Sequence, residues 1–244
     1  MTVKFVSDIG MNYRVENKYI VSNKDIALIK GRLNGFLPRD SHQFGESYLI
    51  RSLYFDTYDE KCISENDSGV DDRKKYRIRT YGESDGFIRL EIKEKRNSLT
   101  KKSSCVITRD EAKVLALRDC FSDNIPEFGE RRVLNEFLLE RKCNGLLPKA
   151  VIEYERSAYV YKIGNVRITI DQNISASGDL CSFFLPKTDG LIPVTPKDLH
   201  ILEVKYDEFI PDFILEMLQI NTLERCTFSK YYLGNLALNG EFLI

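Results

Sequence analysis

Alternation of apolar and polar residues at a period of two dominates the chain. Tyr13 to Val21 reads YRVENKYIV, Tyr48 to Asp56 reads YLIRSLYFD and Lys74 to Tyr81 reads KKYRIRTY. Each is rich in the β-branched and aromatic residues that fit a pleated, half-buried surface. The same pattern predicts strands over Gly86–Lys95, Lys101–Thr108, Ala150–Tyr161, Val166–Asp171 and His200–Asp207. Turn residues precede two of them, Glu-Ser-Asp-Gly before the fourth strand and Ile-Gly-Asn before the seventh, as hairpins require. Strands joined mostly in sequence by hairpins predict an antiparallel sheet or barrel.

Helical spacing punctuates the strands. Ser22 and Asp25 form a capping-box pattern ahead of Ile26, Ile29 and Leu33, and Thr108 and Glu111 form another ahead of Val114, Leu115 and Ala116. Gly129–Cys143 has helical periodicity through Val133, Phe137 and Leu138. Pro211 suits the first turn of a helix carrying Ile214, Leu215 and Leu218, and Ser229 caps a last helix running to Leu238. Ile174–Lys197 contains Pro186, Pro193 and Pro196 and little periodicity, which predicts a long loop or a poorly formed strand. The expected class is a β-dominated α+β fold, an eight-stranded antiparallel β-barrel with peripheral helices. No Gly/Ser/Pro-rich linker divides residues 1–244, so one domain is expected.

Composition narrows the function classes. With 36 Lys+Arg against 37 Asp+Glu the formal charge is -1, which argues against a broadly basic nucleic-acid binder. Hydrophobic residues at 43% and charged residues at 30% describe a soluble globular chain. The first residues hold no apolar run of a signal peptide, and no segment approaches about 18 consecutive apolar residues, so a cytoplasmic protein without a membrane segment is expected. Cys62, Cys105, Cys120, Cys143, Cys181 and Cys226 form no CxxC pair, and only His42 and His200 could assist them. Reduced thiols are expected, and no Ser/His/Asp or Cys/His motif supports nucleophilic hydrolysis.

The informative feature is charge inside the strands, where residues two apart share a face. Arg77 and Arg79 lie opposite Tyr76 and Ile78; Arg89, Glu91, Lys93 and Lys95 lie opposite Leu90 and Ile92. Arg14, Glu16 and Lys18 share a face, as do Arg167 and Asp171, and Glu203, Lys205 and Asp207. Taken singly, each stripe reads as the solvated face of a sheet. Taken together, the recurrence of Arg and Lys in strand after strand reads as the lining of a closed sheet, and such an interior needs a polyanion to balance it. Carboxylates among the cations then either pair with them or hold a divalent metal. The implied cargo is a phosphate chain.

These residues resemble a known family. R-x-E-x-K-Y at Arg14–Tyr19, S-L-Y-F-D-T at Ser52–Thr57, Y-R-I-R-x-Y-G at Tyr76–Gly82 and L-E-I-K at Leu90–Lys93 are followed by Tyr154-x-Arg156, R-I-T-I-D at Arg167–Asp171, L-E-V-K-Y at Leu202–Tyr206 and F-S-K-Y at Phe228–Tyr231. In this order, across Tyr13 to Leu238, the chain resembles the VTC polyphosphate polymerase domain of the triphosphate tunnel metalloenzyme, or CYTH-like, superfamily. The resemblance implies an eight-stranded tunnel that binds triphosphate along its axis and uses Mn²⁺ or Mg²⁺. It implies phosphate contacts from Lys18, Arg77, Arg79, Lys93, Arg156 and Arg167, with a further lysine from the Lys101–Lys102 pair, taken as Lys101 from the spacing to the following strand. Glu203 matches the metal-binding glutamate, and Ser229 and Lys230 match a helix-start pair that reaches the phosphate entering or leaving the tunnel. Arg14 replaces the first glutamate of the E-x-E-x-K motif of CYTH-type tunnels, which removes a metal ligand and adds a cation to the phosphate-binding set. Thr227 stands where the fungal VTC pattern has a lysine.

The resemblance implies phosphoryl transfer from ATP to a polyphosphate end, with Lys93, Lys205 and Lys230 as catalytic cations and Lys205 supporting Glu203. The same site with water as acceptor would be a tripolyphosphatase or nucleoside triphosphatase, and without turnover a polyphosphate or nucleotide sensor. Glu16 is either a second metal ligand or the partner of Lys18 and Arg14. Asp171 is expected to orient Arg167, Glu153 and Glu155 to point outward or pair, and Tyr54 and Phe55 to join the core. Arg156 shares its parity with Ile152 and Tyr154, so a bulge is expected to bring it inward. His42 and His200 read as surface or strand-edge residues.

Overall fold

The computed structural model describes residues 14–41, 43, 45–82, 87–97, 99–116 and 131–241. Tyr13, His42, the Glu83–Gly86 turn, Cys120 and the start of the Gly129–Cys143 helix lie outside them. The strands are β1 (Val15–Ser22), β2 (Tyr48–Asp56), β3 (Arg73–Tyr81), β4 (Ile88–Arg96), β5 (Leu99–Ile107), β6 (Leu147–Tyr161), β7 (Val166–Ser177), β8 (Ile192–Pro193), β9 (Leu199–Tyr206) and β10 (Glu224–Arg225). The helices are α1 (Asn23–Leu33), α2 (Lys61–Asp67), α3 (Arg109–Ala116), α4 (Arg132–Asn144), α5 (Asp212–Leu218) and α6 (Lys230–Leu238). The eight long strands match those expected from the alternation; β8 and β10 are two-residue additions.

All strands join one antiparallel sheet in the order β10-β1-β9-β7-β6-β2-β3-β4-β5, with β8 on β7. The sheet is not closed by a continuous ladder. Its two ends meet at a single bridge, where Arg14 and Thr100 exchange backbone hydrogen bonds of 3.1 and 3.4 Å. The curl is nevertheless deep, because Lys93 on β4 reaches Glu16 on β1 at 2.9 Å across the concave side.

Helices cover the convex side where the strands turn apolar residues outward. The α1 capping box forms, with Ser22 and Asp25 bonding each other's backbone N–H, and Ile26, Ile29 and Leu33 pack with Ile168, Leu202 and Val204. At α3 the Thr108 N–H donates to the Glu111 carboxylate at 2.8 Å and the Glu111 N–H to Thr108 Oγ1 at 3.2 Å. Phe137 of α4 meets Phe55 and Tyr76 edge-on, with ring centroids 5.0 and 6.2 Å apart. Pro211 caps α5 rather than entering its first turn.

Helix α6 lies instead on the inner face at one end. Tyr231 stacks on Tyr54 at 5.1 Å and its hydroxyl donates to Asp56 at 3.0 Å. Gly234 allows this approach, since a Cβ there would lie 2.3 Å from Ile152 Cδ1 and 3.3 Å from Ala176 Cβ.

Two expectations are corrected. Ile174–Lys197 is neither a long loop nor a weak strand at its start: β7 continues to Ser177, a 3-10 turn spans Cys181–Phe184, and β8 pairs back on β7. The register slips between Glu153 and Glu155, where β7 carries an extra residue and Asn173 adopts φ 54°, and this bulge breaks the alternation by which the strand's second half would be read. His200 is buried, with Nε2 2.9 Å from Asn23 Oδ1, because β9 lies inside the sheet. Helix α2 has no apolar periodicity to announce it. Gly234→Val should therefore destabilise the fold by ~1–3 kcal/mol through overpacking. Adding Ile152→Val, which removes the opposed Cδ1, should recover part of that loss in a urea-unfolding double-mutant cycle; strictly additive effects would contradict the packing.

Candidate functional site

The parity of the strands decides what the concave side carries. Direct cross-strand partners share a face, and Lys75 faces Lys93, Arg77 faces Glu91, Lys93 faces Lys102, Glu16 faces Lys205, Lys18 faces Glu203 and Arg156 faces Asp171. The charged stripes thus turn inward. Lys18, Lys75, Arg77, Arg79, Lys93, Lys102, Arg156, Lys205 and Lys230 meet there, against Glu16, Glu91, Asp171 and Glu203.

Three of the four carboxylates are shared between cations. Glu91, fully buried, accepts from Arg77 Nε at 2.8 Å, Lys102 Nζ at 3.2 Å and the Tyr81 hydroxyl at 3.3 Å, with Arg79 at 3.8 Å. Burial would push its carboxyl up, but Arg77, Arg79 and Lys102 hold it well below the usual carboxylate range. Asp171 receives Arg156 through two bonds of 2.6 and 2.7 Å and Lys230 at 2.6 Å. Here too burial acts upward, and Arg156 with Lys230 wins, leaving the carboxyl at about 2. Glu16 is divided among Lys93 at 2.9 Å, Lys18 at 3.2 Å and Lys205 at 3.7 Å. One carboxylate cannot neutralise three ammoniums. Burial, with Lys18 and Lys205 nearby, outweighs Glu16 and brings Lys93 down to about 8. Glu203 contacts Lys205, and against burial Lys205, Lys18, Lys230 and Arg156 keep it well ionised.

Neutral oxygens orient the remaining donors. Arg77 Nη1 donates to the Tyr54 hydroxyl at 2.8 Å, while Arg79 donates to Ser52 Oγ at 2.9 Å and the Tyr154 hydroxyl at 3.0 Å. Lys18 Nζ donates to the Phe228 carbonyl at 2.6 Å, just ahead of the Ser229 cap of α6. Each guanidinium is held in one plane by two or more partners, as recognition of a fixed anion geometry requires.

Several expected positions fall differently. Lys101 pairs in register with Glu94 on the convex face, and Lys102 takes the interior place, because Lys102 is the partner of Lys93. Asp171 holds Arg156 and Lys230 and not Arg167, whose guanidinium binds Asp40. Arg14 sits where the sheet ends meet, 2.8 Å from Asp207, so Glu16 has Lys18 but not Arg14 as a partner. Arg156 needs no bulge of its own: the interior includes the aromatic Tyr154, and its parity is already inward. Glu153 pairs with Arg51 at 2.7 Å, and Tyr54 and Phe55 are buried, as expected. Cys62, Cys105, Cys143, Cys181 and Cys226 are all free thiols. Sequence reasoning passed over Lys75, Tyr54 and Tyr154 as site residues, although the parity of Arg77 and Arg79 extends directly to Lys75.

A family model, the VTC domain, matches residues 13–239. The chain belongs to the VTC domain family. No curated protein sequence matches it. Among solved structures, this VTC domain is similar to an adenylyl cyclase candidate from Hippeastrum described as having a dominant triphosphatase activity, at 14% identity and TM-score 0.54, covering 95% of this chain and 97% of that one. It is also similar to an adenylate cyclase candidate from Bacillus halodurans, at 16% identity and TM-score 0.51, covering 88% and 93%. Both likenesses show the fold.

The resemblance to tunnel metalloenzymes implies a divalent cation, and the donor chemistry fits one bound with phosphate. Glu16 and Glu203 lie on adjacent strands as hard oxygen donors, but no group of three His, Cys, Asp or Glu is gathered for a metal among the described residues. Phosphate or water oxygens would have to complete the coordination. Among the described residues no helix is long and apolar enough to cross a membrane.

Asp171→Asn should destabilise the VTC domain by ~3–5 kcal/mol, because Arg156 and Lys230 stay buried without their counter-charge. The folded Asp171 carboxyl lies below its unfolded value, so its contribution is complete above pH ~4 and disappears as pH falls toward about 2. Thermal unfolding from pH 2 to 7 should show a shallower acid limb in the variant; identical limbs would refute the assignment.

Proposed function

We propose that this VTC domain transfers the terminal phosphoryl group of a nucleoside triphosphate such as ATP to the end of a polyphosphate chain held along the concave face. The observation that carries this reading is the surplus of inward cations over four carboxylates, in a chain of the VTC family. A polyanion is what relieves such a surplus. The attacking group is a phosphate oxygen of the acceptor. It forms the new P–O bond while the bond to the nucleoside diphosphate breaks, and the electron pair leaves with that product.

The protein's work is then positioning and charge stabilisation. Arg77, Arg79 and Arg156 present planar, pre-oriented donors to phosphate oxygens, with Lys18, Lys93 and Lys102 as point charges around them. Lys230, held by Asp171 at the start of α6, adds its ammonium beside Ser229. Glu203, with Glu16, would hold Mn²⁺ or Mg²⁺, and Lys205 keeps Glu203 in place. The cation, when bound, would screen the charge between neighbouring phosphates. Neither a histidine nor a thiol is needed, consistent with His200 lying buried against Asn23.

Water as acceptor at the same site is the second reading, favoured by the activity described for the Hippeastrum protein. Purified protein incubated with ATP and Mn²⁺ separates the two: polymer with stoichiometric ADP supports transfer, orthophosphate without polymer supports hydrolysis, and no ADP release rejects both. Arg79→Ala and Glu203→Gln should each lower turnover about 10²–10³-fold. Lys102→Ala should cost about tenfold where Lys101→Ala changes the rate by less than about twofold, since only the former faces inward.

A further inference from the structure

Among the described residues Lys75 is the inward lysine for which the surroundings supply no ion-pair partner. Its Nζ donates to Ser229 Oγ at 2.6 Å and to Asn66 Oδ1 at 2.9 Å, both neutral oxygens. No carboxylate lies within ion-pair distance of it among the described residues. The charged and titratable groups facing it are Arg73 on its own strand, Lys93 on β4, Lys18 on β1 and the Cys62 thiol of α2. β4 and β1 each bring a further positive charge, while β2, the other neighbour of β3, ends beside it at Asp56, whose carboxylate accepts from the Thr57 and Cys62 N–H groups and the Tyr231 hydroxyl. Elsewhere on this face each lysine shares a carboxylate, and the arginines share a carboxylate or bond hydroxyls, except Arg89, which lies over the Phe87 ring at 4.5 Å. Lys75 is instead drawn up to the oxygen that caps α6, on the side where Lys18 also converges.

We propose that Lys75 contacts phosphate at the α6 end of the tunnel, delivering its ammonium, together with Ser229 Oγ, to a terminal phosphate oxygen. This rests on the phosphate-tunnel reading above and adds to it a residue and a proton. Burial first, then Arg73, Lys93 and Lys18, bring the free amine down to about 7. A dianionic phosphate end arriving at Nζ reverses that balance and favours the ammonium. Binding above neutral pH then draws one proton from solvent onto Lys75, and affinity falls with rising pH by up to about tenfold per pH unit while that proton is being taken up.

Calorimetry with tripolyphosphate in buffers of different ionisation enthalpy, from pH 7 to 9, reads both affinity and proton uptake. Lys93 and the ligand's own end also titrate in this range; Lys75→Arg keeps the positive charge beside Lys93, so its difference from wild type isolates the proton taken up by Lys75. Lys75→Met should bind about tenfold more weakly and take up about one proton fewer. Lys75→Arg, permanently charged, should keep the affinity and lose the proton uptake. Both variants should fold, and Lys75→Met should raise the melting temperature of the ligand-free protein, because it removes a buried uncompensated cation. Unchanged proton uptake in both variants would overturn the proposal. If wild type and Arg79→Ala alike fail to bind tripolyphosphate, the phosphate-tunnel reading itself fails; binding lost in Arg79→Ala but not altered in either Lys75 variant defeats only the role of Lys75.

Discussion

An ammonium or guanidinium withdrawn from water loses on the order of several kcal/mol of hydration, and the concave face of this sheet withdraws many of them together. The fold answers with an economy of carboxylates. Glu91, Asp171 and Glu16 each hold two or three cations at once, so these three carboxylates are saturated while the cations remain only partly compensated. The geometry follows from this. Arg77 and Arg79 lie still because Glu91, Tyr54, Ser52 and Tyr154 fix them, and the convex helices must bury enough apolar surface to sustain an interior that repels itself.

The partial compensation also sets how the site meets its ligand. Lys93 and Lys75 sit near neutrality between charged and uncharged forms for the same reason, burial among like charges, though one touches a carboxylate and the other does not. An arriving polyanion then does not displace strong salt bridges so much as complete weak ones. The cost of assembling the cations was met when the chain folded, which is the sense in which such a site is preorganised.

Much of this was legible in the sequence because the period of a strand converts spacing into direction. KYRIRTY places two arginines on one side whatever the fold, and the recurrence of such stripes pointed to an interior. The misses have the same root. Choosing Lys101 over Lys102 is a one-residue slip, and one residue reverses the face. Asp171 was expected to orient Arg167 on its own strand face, but the register of β6 on β7 sets Arg156 directly opposite it. Lys75 was hidden by attention to the motif rather than to its parity. Helix α2, a short segment that follows Glu60 with its φ of 58°, offers no pattern by which it could be found.

The extra residue at Asn173 gives one strand two vocations. Before it, β7 turns Thr169 and Asp171 toward the tunnel; after it, the inward positions are Ile174 and Ala176, which seat α6 beside Gly234. A continuous alternation would have carried the polar lining on beneath the helix or stripped the charge from the tunnel. The bulge acts as a switch of phase along a single ribbon, so the boundary between wet corridor and dry plug is drawn within a strand rather than between elements. Deleting one residue there would not shorten the wall but exchange its two sides.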